Sequence, residues 1–152
     1  MLSQKAKYAL KALIALAEAD GKLLQANEIA DAHNIPKKFL DLILLDLRRH
    51  QLVDSRRGKK GGYLLGRPAE DIKIGDVVRA IDGALAPIPC ASVTAYRPCA
   101  DCDDHKACMI RKIMRDVRDA AAGVLDNVSL AEAARKKRPH KSGRSRLRRV
   151  PA

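Results

Sequence analysis

Near residue 52 the apolar periodicity of the chain changes, and that change limits what it can fold into. Before it, Phe39, Leu40, Ile43, Leu44 and Leu47 recur three and four apart, the spacing of one helix face. After Leu52 and Val53 the pattern turns short and strand-like. Asp54–Arg56 and Tyr63–Leu65 read as two strands around a tip that holds Gly58, Gly61 and Gly62. Two helices precede this stretch. The first carries Ala6, Leu10, Leu13, Ile14 and Ala17 at helical spacing, with Ser3 as N-cap and Gly21 as its end. The second fits around Asn27–His33, with Ile29 and Ala30 facing inward, and Ile35-Pro36 opens the third. The predicted class is mainly α with a small β-hairpin, the layout of a winged helix-turn-helix.

Charge gives this layout a direction. The chain of 152 residues carries 30 Lys and Arg against 18 Asp and Glu, a net charge of +12. Residues 1–67 hold 13 basic and 7 acidic residues, and residues 68–134 hold 8 and 11. Residues 135–152 hold 9 basic residues and no acid. Within the head, Arg56, Arg57, Lys59 and Lys60 converge on the glycine-lined tip, where backbone and side chains can approach phosphates or a minor groove. One Phe, three Tyr and no Trp argue against a surface that stacks single-stranded bases. Duplex DNA is the expected partner. The tail from residue 136 has no apolar period and is expected to be disordered, adding salt-dependent, non-specific affinity.

Between head and tail, residues 72–82 read as a small helix with Val77, Val78 and Ile81 inward. Gly83 to about Asp104 is irregular and holds Pro87, Pro89 and Pro98. From about Asp104 a longer helix carries Ile110, Ile113, Met114, Val117, Ala121 and Val124 on one stripe. So late in a small chain, that stripe is a candidate homodimer seam. Ser129 and Glu132 form a capping box for a last short helix. The predicted organisation is a DNA-binding head (1–83), a cysteine-rich loop (84–104), a dimerisation helix with a short helix (105–135) and a basic tail (136–152). The apolar run near residue 12 is too short for a signal peptide or a membrane span, so a cytoplasmic protein with no membrane partner is expected.

Cys90, Cys99, Cys102 and Cys108 fall within 19 residues, a plausible soft-metal site, since thiolates bind iron–sulfur clusters and zinc. Cys99-x2-Cys102 alone also suits a zinc knuckle or a redox disulfide. Asp101, Asp103 and Asp104 disfavour a highly reactive free thiolate. A redox enzyme built on Cys99 and Cys102 lacks the strand–helix alternation of a thioredoxin-like fold. His33, His50, His105 and His140 sit in unrelated contexts and complete no catalytic constellation, so an enzyme is not expected.

Leu2-Ser3, Tyr8-Ala9-Leu10, Glu28-Ile29-Ala30, Leu47-Arg48 and Leu52-Val53 belong to a wider pattern. Ser55 to Gly58, Gly61 to Leu65 and Ala80 to Gly83 continue it. Together they resemble the Rrf-two family of bacterial regulators, the family of IscR, NsrR and RirA, from residue 1 to about 135. The resemblance implies a homodimeric winged-helix transcription regulator, with repression as the usual sign. Several members carry an iron–sulfur cluster on three cysteines before and at the start of the dimer helix. Cys102-x5-Cys108 matches the last pair, and Cys90 and Cys99 lie where the first ligand falls. The fourth cysteine and the longer Cys90–Cys108 span depart from the pattern, and Lys7 stands where some members have an acidic ligand. The implied cofactor is an iron–sulfur cluster of two-iron or four-iron type. The alternative is a cluster-free regulator using zinc, a thiol switch or a protein partner. Lys38 and Asp41 match positions that face bases, Lys37 is an expected phosphate contact, and Arg57 matches a minor-groove position. Arg56, Lys59 and Lys60 would hold the backbone of a pseudo-palindromic operator.

Overall fold

The computed structural model describes residues 2–100, 102 and 104–135. The tail expected beyond residue 135, and Asp101, Asp103 and His140, lie outside them. Helix α1 (Gln4–Glu18) starts where the Ser3 hydroxyl accepts the Ala6 N–H at 3.0 Å. The same hydroxyl donates to Asp82, so the cap also ties α1 to the end of α4 (Ile74–Asp82). Helix α2 (Ala26–His33) opens with the Gln25 N–H on the Glu28 carboxylate at 2.6 Å. Asn34, at φ 51°, then turns the chain toward α3 (Lys37–Arg49). Pro36 sits one position earlier than expected, as the N-cap, and its carbonyl accepts from Leu40 at 2.9 Å.

Strands β1 (Val53–Arg56) and β2 (Gly62–Leu65) pair antiparallel, Val53 opposite Leu65 and Arg56 opposite Gly62. Each is one residue longer than the sequence pattern implied. Leu24, between α1 and α2, joins the pair by exchanging two backbone hydrogen bonds with Tyr63. That contact accounts for Gly62, where a Cβ would stand 2.7 Å from the Leu24 carbonyl oxygen. At Gly61 a Cβ would meet the Arg56 carbonyl oxygen at 2.2 Å. Neither position admits a side chain without moving backbone.

The core is continuous across the head. Leu13 and Leu16 of α1, Ile29 of α2, and Leu40, Ile43, Leu44 and Leu47 of α3 are fully buried, with Leu52 and Val53 beneath them. Burying one such side chain contributes roughly 1.5–3 kcal/mol. Beyond α4 the chain makes a 3₁₀ turn (Pro89–Ala91), then α5 (Met109–Leu125) and α6 (Leu130–Arg135). Helix α5 begins later than the start expected near Asp104. The Asp104 carboxylate accepts the N–H groups of Lys106 and Ala107, making a local turn, and Cys108 is the N-cap. Ser129 and Glu132 form the expected capping box, with reciprocal bonds of 2.8 and 3.2 Å. Helix α6 returns to the head: Leu130 is fully buried in the head core, and its N–H donates to Ile72 at 2.8 Å. No helix among the described residues is long and apolar enough to cross a membrane.

Candidate functional site

The wing is a cationic tip built on backbone that accepts only small residues. The Gly61 N–H donates to Gly58 at 2.9 Å, closing a turn with Lys59 and Lys60 at its centre. Arg56, Arg57, Lys59 and Lys60 are all exposed, and none takes part in the ion pairs among the described residues. Their charge is available to a partner. On α3, Lys37, Lys38 and Asp41 are exposed on the first turns. Lys37 and Asp41 form an i,i+4 pair at 3.3 Å. At such exposure the pair holds at most about 1 kcal/mol, so either partner can be redirected cheaply. The opposite end of α3 is anchored instead. Asp46 accepts from Lys5 of α1 at 2.6 Å and from Arg49 at 3.2 Å, and the Lys5 hydrogen bond lowers the Asp46 pKa. Leu42 and Leu45 also stand exposed on this helix, and the sequence reading passed over both.

The four cysteines are divided. Cys90 is buried in the 3₁₀ turn, and the Cys99 thiol lies 3.5 Å from it, sulfur to sulfur. That is well beyond the ~2.05 Å of a disulfide. The Arg97 N–H on the Pro89 carbonyl, at 3.3 Å, closes the loop that brings the two together. Cys102 instead contacts the Asp104 carbonyl at 3.7 Å, and the Cys108 sulfur accepts the Arg111 N–H at 3.5 Å. Two arginines of α5 fasten this region, and the sequence signalled neither. Arg111 donates through Nε to the Cys90 carbonyl at 2.9 Å and through Nη1 to the His105 carbonyl at 3.3 Å. Arg118 donates to the Ala91 carbonyl. The far end of α5 is clamped to α4 by Arg79, which grips Asp126 with two bonds of 2.7 Å. That contact lowers the Asp126 pKa and raises that of Arg79. The outer face of α5 is bare: Ile110 and Val124 are each 64% exposed, and no residue of the helix is buried.

The family model for Rrf2, described as an iron-dependent transcriptional regulator, matches residues 2–136. The chain belongs to the Rrf2 family. An rrf2-like HTH-type transcriptional regulator from Rhodobacter capsulatus is 45% identical over 87% of this chain and 91% of its own. IscR of Sodalis glossinidius is 32% identical over 86% of this chain and 76% of its own. The solved structure of CymR, the global cysteine regulator of B. subtilis, superposes with a TM-score of 0.73 at 30% identity. It covers 89% of this chain and 96% of CymR. The fold is therefore that of a winged-helix regulator, and this Rrf2 chain is a transcriptional regulator, not an enzyme.

An iron–sulfur cluster of the kind some Rrf2 proteins carry needs three or four ligands. The donor chemistry here is suitable, since thiolates are soft ligands. The arrangement supplies two: Cys90 and Cys99 stand near the ~3.8 Å spacing of two thiolates sharing one tetrahedral metal with ~2.3 Å bonds. No group of three metal-binding side chains assembles among the described residues. Nδ1 of His105, between Cys102 and Cys108, is buried and lacks a hydrogen-bond partner among the described residues. The donor types fit a cluster, and the described residues bring Cys90 and Cys99 together.

Proposed function

We propose that this Rrf2 regulator works as a cytoplasmic homodimer that reads a pseudo-palindromic duplex operator, with repression as its usual effect. The observation that carries the reading is the wing: four exposed cations outside the ion pairs of the described residues, on a glycine-built hairpin directly after α3. In this reading the first turns of α3 enter the major groove. Lys38 donates to guanine, Asp41 accepts from cytosine N4, and Lys37 leaves its pairing with Asp41 for a phosphate. Arg57 reaches into the minor groove while Arg56, Lys59 and Lys60 hold the backbone. The bare stripe of α5 is the dimer seam, setting two heads about one helical turn (~34 Å) apart. A footprint of the full-length protein on the DNA upstream of its own gene tests this. Two protected half-sites with that spacing are expected, and uniform, sequence-indifferent protection would refute it.

The cysteine loop is the regulatory element in the same reading. Cys90, Cys99, Cys102 and Cys108 are the residues that would hold an iron–sulfur cluster, which when bound supplies a redox-sensitive iron centre. The chain's own part is mechanical. Arg111 and Arg118 hold the Cys90 and Ala91 carbonyls, so a rearranged loop displaces α5 and with it the spacing of the heads. The 3.5 Å approach of Cys90 and Cys99 favours a second reading, a dithiol switch that needs no metal. Anaerobic purification with iron and sulfide analysis separates the two. Coloured protein with several irons per dimer supports the cluster. Iron-free protein whose operator affinity changes on mild thiol oxidation supports the switch.

A further inference from the structure

The outer face of α3 carries two leucines that neither the core nor the α5 stripe accounts for. Leu42 is 59% exposed and Leu45 44%, while Leu40, Ile43, Leu44 and Leu47 fill the inner face. Lys38, Leu42, Leu45 and Arg49 succeed one another at four, three and four residues, so they share the side opposite the core. Apolar side chains so placed are stabilised only when something apolar covers them. Cations at both ends of the row, and the cationic wing that follows α3, match a polyanion and disfavour a purely apolar protein partner.

Resting on the reading of α3 as the helix that enters the major groove, we propose that Leu42 reads thymine through its C5-methyl group. Leu45 extends the apolar contact. The base edges in that groove present mainly hydrogen-bonding groups, and the thymine methyl is the apolar substituent that an exposed leucine can recognise. With a rise of ~1.5 Å per residue, Leu42 stands about 6 Å beyond Lys38, close to two base-pair steps of ~3.4 Å. The operator half-site therefore places a thymine about two base pairs from the guanine that Lys38 contacts.

The test starts from the full-length protein selecting duplexes out of a random library. Each thymine of the selected half-site is then replaced by deoxyuridine, which pairs identically and lacks the methyl. One replacement is expected to weaken wild-type binding about fourfold, the effect of uncovering one buried methyl group. Leu42→Ala should bind the thymine and deoxyuridine duplexes equally, at the weakened level, and melt at the wild-type temperature because Leu42 is a surface residue. Wild-type affinity indifferent to every replacement, or a selected half-site with no fixed thymine, overturns the proposal. So does discrimination that survives in Leu42→Ala and disappears in Leu45→Ala. If the wild-type protein selects no duplex at all, the DNA-binding reading fails first, and this inference falls with it.

Discussion

Helices α3 and α5 are built alike and end up differently. Each is amphipathic, with a continuous apolar stripe and charges elsewhere. The stripe of α3 is consumed by the head: Leu40, Ile43, Leu44 and Leu47 have no exposed surface. Most of the stripe of α5 is left uncovered by its own chain: Met114 and Ala121 are half-buried, while Ile110, Ile113, Val117 and Val124 are all at least 48% exposed. Amphipathicity states that a helix has an apolar face; the number of elements left to meet that face decides what covers it. For α3 the answer is within the chain, and for α5 we infer a second copy.

The contrast can be broken most forcefully in the core. Leu44→Ala should destabilise the head by about 2–5 kcal/mol, since a fully buried leucine leaves a cavity. Ile113→Ala should shift the melting temperature little, and Ile113→Asp should convert dimer to monomer by sedimentation while the head still melts cooperatively. Equal melting losses from Leu44→Ala and Ile113→Ala would place both stripes inside one core. A smaller effect belongs to the wing. Arg57→Ala should lower operator affinity about tenfold and reduce the salt slope by about one charge, with thermal stability unchanged. The smallest effect concerns how α5 is held. Asp126→Asn should remove at most about 1 kcal/mol at pH 7, because the Arg79–Asp126 pair is partly solvated. The folded pKa of Asp126 is depressed, so its contribution is present above the unfolded value near 4 and fades as pH falls through the folded one. Wild type and variant should therefore converge in stability as pH falls through the folded pKa of Asp126, as read by denaturant melts.

Whatever depends on neighbours in sequence was legible there. The α3 stripe, the Ser3 cap, the basic hairpin and the Ser129–Glu132 box are local patterns within short stretches of chain, and the structure forms each of them. The misplaced start of α5 has a local cause too, the Asp104 turn, but no apolar residue marks it. Contacts that span long stretches of chain could not be read. Leu24 bridging to Tyr63, Arg111 on Cys90, Arg118 on Ala91 and Leu130 beneath α1 each need the fold to exist before the partners meet. The cysteines show the same limit. Spacing draws the eye to Cys99 and Cys102, whereas the closure of Arg97 onto Pro89 places Cys99 against Cys90.

The return of α6 has a consequence for how such a protein can be damaged. Leu130 completes a core cluster whose other buried members lie before residue 80, on the far side of the cysteine loop and α5. A premature stop codon anywhere between the two would remove buried surface from the DNA-binding head. The product would be a destabilised head, more open to proteolysis, not an intact head left without the rest of the chain. In this architecture truncation weakens the DNA-binding head along with everything downstream of it.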